Sequence, residues 1–348
     1  MQVLVVNKVS HRFSKNVALN DISFDCKAGE VTCLIGHSGC GKTTLLRLMA
    51  GLLPLQSGEI ALNGATLASP SMMMPPEQRS VGMVFQEGAL FPHMSVVDNV
   101  AFGLRSNDAK ARALEWLTRV GLSDYADRYP DSLSGGQRQR VALARAMAPE
   151  PAVLLFDEPY ANLDVPLRRT LRKDARRIIR ETGAVGVFVT HDPDEVLAMG
   201  DNVVVLDQGV MVESGAPQTL YEAPQSRYTA ELFGDPQVFE GLIHDGGITT
   251  PFGDWDRALL TNPTIANGEV TLIVDARQLS LRTDAGGLEI TDIDSIGGLS
   301  RVTVKSSLGD TSIDFECPVA MDSDIDVGTW VQVLPKTGSV FATQTSSD

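Results

Sequence analysis

Glu30-Val31-Thr32-Cys33-Leu34-Ile35-Gly36-His37-Ser38-Gly39-Cys40-Gly41-Lys42-Thr43-Thr44-Leu45-Leu46 passes from an apolar run, through a glycine-rich turn, into a helix-forming segment. Its middle, Gly36 to Thr43, satisfies G-x-x-x-x-G-K-[ST]. The glycines let the backbone wrap phosphate oxygens without Cβ clashes, Lys42 brings a positive charge to the β- and γ-phosphates, and the Thr43 hydroxyl suits Mg²⁺. Strand, loop and helix in that order set backbone N–H groups beside an anion. The helix is expected over Thr43–Ala50, closed by Gly51. The residues expected to hold the nucleotide here are Gly36, Ser38, Gly39, Cys40, Gly41, Lys42, Thr43 and Thr44.

A second acidic element, Val153-Leu154-Leu155-Phe156-Asp157-Glu158-Pro159, ends another apolar run. A buried strand there brings its end beside the phosphate loop, with Asp157 in the Mg²⁺ shell and Glu158 accepting a proton from attacking water. Read alone, the pair is also compatible with a solvated acidic turn. His191, in Val189-Thr190-His191-Asp192, follows a third apolar run. It suits contact with the γ-phosphate or orientation of the base and water, and equally an ordinary strand-end histidine. Residues 107–150 and 165–182 have helical periodicity, whereas VGMVFQ, AVLLFDEP and VGVFVTHD read as short buried strands. Their alternation predicts an α/β core with a mostly parallel sheet.

Beyond about residue 235 the texture changes to β-like runs, GEVTLIVDARQLSL, SRVTVKSSLG, TSIDFECPVA and TWVQVLP, broken by GG, GD and VG. A small barrel or sandwich is expected. Charge marks the same division. The 348 residues carry a formal charge of −15, and residues 236–348 hold 17 acidic against 6 basic side chains. That balance excludes broad attraction to nucleic acid or anionic lipid. Cys26, Cys33, Cys40 and Cys317 show neither paired metal spacing nor a disulfide framework, which fits a reduced compartment. No run approaches the roughly 18 apolar residues needed to span a bilayer, so work at a membrane requires a partner to hold the chain there.

Leu133-Ser134-Gly135-Gly136-Gln137-Arg138-Gln139-Arg140 matches the signature LSGGQ, with its basic continuation, of the nucleotide-binding subunits of ATP-binding-cassette (ABC) transporters, and residues 1–235 resemble that family throughout. The resemblance implies an α/β P-loop nucleotide-binding domain over 1–235, with a helical signature subdomain over about 88–150. It also implies a smaller all-β, OB-like regulatory domain over 236–348. Val274-Asp275-Ala276-Arg277 departs from the Arg-Pro-Glu triplet common in that domain.

Further roles come with the resemblance. Ser134, Gly135, Gly136 and Gln137 serve ATP bound by a second copy in a head-to-tail sandwich dimer, although Ser-Gly-Gly alone is also an N-capped helix start. Gln86 contributes to the Mg²⁺ and water geometry, making Thr43, Gln86 and Asp157 the metal set and Glu158, His191 and Gln86 the catalytic set. Phe13 stands where adenine stacks, a position equally open to a core aromatic. Asp164, after Ala161-Asn162-Leu163, matches the turn that communicates across the dimer. The segment Glu87-Gly88-Ala89-Leu90-Phe91-Pro92-His93-Met94 suits docking of an integral membrane permease at the cytoplasmic face of the inner membrane.

The expected activity is ATP hydrolysis driving solute import, with an external binding protein as indirect partner and no nucleic acid. Gln86-Glu87-Gly88 and Thr190-His191-Asp192-Pro193 look most like the ferric-iron branch. Polyamine, thiamine, sulfate or sugar import, or a non-transport P-loop ATPase, are the alternatives. Met72-Met73-Met74, before Pro75-Pro76, reads as a surface or strand-edge loop, and Asp322-Ser323-Asp324-Ile325-Asp326 as a solvated β-turn because Val327 replaces the glycine of a calcium loop.

Overall fold

The computed structural model describes residues 3–86, 89–160, 163–234, 236–261, 264–296, 299–306, 312–318, 325–336, 338 and 340–344. It divides into two compact units, Met1–Pro217 and Gln218–Asp348. In the first, β1 (Val3–Phe13) and β2 (Asn16–Lys27) form a long antiparallel hairpin, followed by β3 (Val31–Ile35) and helix α1 (Lys42–Ala50). Then come β4 (Ser57–Leu62), β5 (Ala65–Ser69), the short β6 (Met72–Met73) and β7 (Val81–Val84). Met72 and Met73 lie exposed on that edge strand. Three helices follow, α2 (Val96–Ala101), α3 (Ala109–Arg119) and α4 (Gly135–Met147), and make up the helical subdomain. The core closes with β8 (Val153–Asp157), α5 (Val165–Thr182), β9 (Val185–Thr190), α6 (Pro193–Met199), β10 (Asn202–Asp207) and β11 (Val210–Gly215).

Two sheets organise these elements. One is antiparallel, in the order β2-β1-β4-β5-β6, and the other runs β11-β10-β3-β9-β8-β7. In the second, β10, β3, β9, β8 and β7 pair in parallel and only β11 joins antiparallel. Every residue of β3 and β9 is buried. Burial on both faces explains why these strands read as continuous apolar runs instead of alternating ones. The parallel order sets the carboxyl ends of β3, β8 and β9 side by side, the edge from which an α/β sheet presents its ligand site.

Helix α7 (Pro217–Glu222), which begins at the last residue of the first unit, and α8 (Arg227–Phe233) precede the two antiparallel sheets of the second unit. One contains β12 (Pro236–His244), β13 (Gly247–Thr250), β14 (Gly253–Trp255), β15 (Gly268–Asp275) and, after the others, β20 (Val340–Gln344), in the order β14-β13-β12-β15-β20. The other contains β16 (Leu279–Ile296), β17 (Leu299–Lys305), β18 (Ser312–Pro318) and β19 (Trp330–Pro335), in the order β18-β17-β16-β19. Both curl around one core in which the rings of Phe252 and Trp255 meet Phe239 edge-on.

Two local readings differ from the sequence expectation. The run from Gly268 to Leu281 is not one strand, because a 3₁₀ turn at Ala276–Gln278 separates β15 from β16. Gly286-Gly287 does not end a strand either. It lies inside β16, where the register against β19 shifts between Thr283 and Leu288. Ala230 of α8 is buried with Ile273 and Phe341 of the second unit, ahead of residue 235.

Candidate functional site

The glycine-rich turn leaves β3 at Ile35 and enters α1 at Lys42. Gly41 has φ 108°, and a Cβ there would stand 2.4 Å from the Ala18 carbonyl oxygen, so only glycine closes the loop onto β2. His37, Ser38 and Gly39 are exposed while Gly36 and Cys40 are buried, which turns one side of the loop outward. Lys42 is only 5% exposed. Its Nζ donates to the Gly36 and His37 carbonyls at 2.6 and 3.0 Å and lies 3.5 Å from Cys40 Sγ. The charge is therefore fixed beneath the loop. Thr44 is half-buried in the first turn of α1.

The Thr43 hydroxyl donates to Asp157 Oδ1 at 3.3 Å, joining the first turn of α1 to the end of β8. Burial pushes the Asp157 carboxyl above its ordinary pKa, and the neighbouring Glu158 adds to this. The Thr43 hydrogen bond and the charges of Arg47 and Lys42 oppose it. A hydroxyl and a half-buried carboxylate meeting at one point are hard oxygen donors, a set that fits Mg²⁺. Glu158 turns the other way. Its φ of 43° is left-handed, unusual for a non-glycine residue, and its Oε2 lies 3.2 Å from His191 Nδ1 at the end of β9. Strain of this kind is retained where the surrounding structure demands it, commonly at reacting sites. Adjacent carboxylates thus face different partners, as two separate roles require.

The remaining candidates occupy three places. Phe13 ends β1 at the hairpin, 48% exposed, with its ring edge against His11. It is an accessible aromatic and not part of the core. Gln86 follows β7 and is exposed, and its carbonyl accepts from the Gln139 side chain at 2.7 Å. Ser134 is the N-cap of α4 in a reciprocal capping box with Gln137. Gly136 lies where a Cβ would fall 2.6 Å from Leu167 of α5, while Gly135 faces Leu163. Within one chain, then, the first turn of α4 packs on the turn before α5, and its hydrogen bonds among the described residues do not reach the phosphate loop.

In the expected docking segment, Phe91 packs on the exposed Phe102 at 4.5 Å, and Asn99 bonds the Phe91 backbone at both N and O. Arg145 donates to the Ala89 carbonyl and lies over the Phe91 ring. Glu87, Gly88, Ala161, Asn162 and, of the acidic stretch, Asp322, Ser323 and Asp324 lie outside the described residues. No described helix is long and apolar enough to cross a membrane.

A profile described as ABC transporter matches residues 19–161. The Fe(3+) ions import ATP-binding protein FbpC of Agrobacterium fabrum is 46% identical over 240 residues, covering 68% of this chain and 67% of that protein. The sulfate/thiosulfate import ATP-binding protein CysA of Pseudomonas aeruginosa is 39% identical over 328 residues, covering 92% of each. The chain belongs to the ATP-binding subunits of ABC transporters. Among solved structures, cbiO1 from Clostridium perfringens, described as part of the ABC transporter complex cbiONQ, aligns at TM-score 0.57 and 32% identity, covering 63% of this chain and 90% of that one. This ABC subunit is an ATP-hydrolysing enzyme. Iron- and sulfate-import subunits both align with it, so the expected ferric-iron branch is not singled out.

Residues that the sequence reading passed over brace the elements that carry the site. Gln139, 7% exposed, ties the signature helix to Gln86 and lies within the quoted signature continuation. Arg79 reaches the far end of α1, and Arg168, Arg172 and Glu195 surround the backbone on either side of His191. The Leu48, Asp192 and Glu195 partners of Arg79, Arg168 and Arg172 lie far along the chain, and no local pattern marks them.

If Phe13 stacks on adenine, Phe13→Ala should raise the KM for ATP about fivefold at nearly unchanged kcat, because it removes only a binding surface. Steady-state ATPase assays with ATP and GTP check this, and an unchanged KM would remove the stacking role.

Proposed function

We propose that this chain is the ATP-hydrolysing motor of an importer of ferric iron, working as two copies beneath membrane subunits at the cytoplasmic face. The observation that carries the motor reading is the divergence of Asp157 toward Thr43 and Glu158 toward His191 at the edge of the phosphate loop. The iron reading is supported by the 46% identity to FbpC and by Gln86-Glu87-Gly88 and Thr190-His191-Asp192-Pro193. Sulfate is the second reading, supported by the alignment to CysA along 92% of the chain.

In this mechanism, a water molecule attacks the γ-phosphorus in line, the bond to the β,γ-bridging oxygen breaks, and ADP leaves. Glu158 takes the proton from that water, and His191 holds the Glu158 carboxylate in place. Lys42 and the amides of residues 36–43 bear the negative charge on the phosphates. Mg²⁺, which Thr43, Gln86 and Asp157 would hold, would supply charge neutralisation at the β- and γ-phosphates.

Ser134, Gly135, Gly136 and Gln137 serve nucleotide on the opposite copy, and Ala89–Met94 receives the permease. The cassette extends over 1–235, and 236–348 is regulatory. Co-expression with the adjacent membrane genes, followed by reconstitution with their binding protein, tests the reading. ATPase stimulation by the Fe³⁺-loaded binding protein is the expected result. Stimulation by sulfate alone would replace the cargo, and failure to assemble with any membrane pair would remove the importer.

A further inference from the structure

We propose that Arg168 is a positioning residue that transmits the placement of the Leu163-Asp164 turn to His191 and, through it, to Glu158. Arg168 lies in the first turn of α5, where its amide donates to the Asp164 carbonyl at 2.9 Å. Its guanidinium then spans two segments. Nη2 donates to the Leu163 carbonyl at 3.0 Å, and Nη1 donates to Asp192 Oδ2, also at 3.0 Å. A planar fork with two separated donors can hold both partners at once, which a lysine ammonium on a flexible stem does poorly.

The Asp192 end is stiff. Asp192 caps α6 by accepting the Asp194 amide at 2.9 Å, and its own amide donates to Thr190 Oγ1 at 3.0 Å. The Thr190 hydroxyl donates to Glu195 Oε2 at 2.5 Å, and Glu195 Oε1 accepts from Arg172 at 2.7 Å. Arg172 also reaches Asp192 at 3.4 Å. Arg172 and Glu195 are 8% and 4% exposed. Both neighbours of His191 are thus pinned by a buried polar network, while the His191 ring itself is exposed and faces Glu158. A shift of the turn moves Arg168, and the stiff network passes that movement on to the histidine instead of absorbing it.

The same turn packs its Leu163 beside Gly135, and Leu167 of α5 lies against Gly136 of the signature helix. Arg168 therefore stands between the surface proposed to meet a second copy and the group proposed to take the proton. This coupling rests on the hydrolysis roles of His191 and Glu158.

The test compares Arg168→Ala, Arg168→Lys, Arg172→Ala and, as a control on the same helix turn, the exposed Arg169→Ala, in the full chain. Arg168→Ala should lower kcat roughly tenfold with the KM for ATP within about twofold of wild type, because misplacement and not nucleotide binding is affected. Arg168→Lys should recover part of the loss, and Arg169→Ala should match wild type. Hydrogen exchange should quicken at both 163–168 and 190–194 in Arg168→Ala, and mainly at 190–195 in Arg172→Ala. A kcat unchanged in Arg168→Ala, a proportional rise in KM, or exchange quickened throughout the chain would each overturn the proposal. Should Glu158→Gln keep full turnover while Arg168→Ala loses it, the base assignment falls and the Arg168 tie stands.

Discussion

Glu158→Gln is expected to lower ATP turnover about a thousandfold, the middle of the range for removing a positioned general base, and to leave ATP affinity within about twofold. Glutamine keeps the shape of glutamate and has an amide that can still meet His191, so the 3.2 Å contact has a replacement. It cannot take the proton of the attacking water. The binding elements, Lys42 beneath the loop and the Thr43–Asp157 pair, are untouched. A thousandfold loss corresponds to about 4 kcal/mol of transition-state stabilisation. Single-turnover hydrolysis, together with binding of a fluorescent ATP analogue, separates the two effects. Retained turnover would transfer the base to another group, and lost binding would mean that the Glu158 carboxylate supports the loop itself.

The site was legible in the sequence where its parts are local. Gly36 to Thr43 is one turn and one helix start, so spacing alone orders its atoms, and Asp157-Glu158 stands out because charge follows four buried residues of β8. The buried parallel strands were also visible, since burial on both faces leaves continuous apolar runs. What escaped depends on contacts distant in sequence. Gln139 meets Gln86 across 53 positions and Arg168 meets Asp192 across 24, and a glutamine or arginine on a helix carries no mark of its partner. Phe13 was ambiguous for a similar reason. A ring in an alternating strand belongs to either face, and only the ending of β1 there decides that it is exposed. In the second unit, Gly286-Gly287 looked like a turn because local glycine preference points that way, whereas pairing with β19 continues past it with a shifted register.

Arg79→Ala should lower the stability of the first unit by about 3–5 kcal/mol, an effect set by what the guanidinium leaves behind. The side chain is 5% exposed. It donates to the Leu48 and Met49 carbonyls at 2.8 Å each, to Met74 at 2.9 Å and to Leu67 at 3.1 Å. The first two are carbonyls at the C-terminal end of α1, where the Gly51 and Leu52 amides cap Leu48 and Arg47 and the guanidinium adds a cation at the negative end of the dipole. Burial lowers the Arg79 pKa, yet arginine remains charged at neutral pH, so the favourable field is retained. Gly51, with φ 78°, leaves room for the guanidinium, since a Cβ there would stand 2.6 Å from Arg79 Nε. Alanine would take the side-chain donor from all four carbonyls, of which Leu48 and Leu67 keep backbone donors in Gly51 and Met74, and a fall of roughly 10 °C in Tm follows for a unit of this size. Arg79→Lys should lie between the two, because an ammonium cannot span four acceptors in one plane. Since α1 carries Lys42 and Thr43 at its other end, loosening its C-terminus should also raise the KM for ATP. Thermal melts with and without ATP analogue measure both consequences, and a Tm change under about 2 °C in Arg79→Ala would mean that water replaces the guanidinium at these carbonyls.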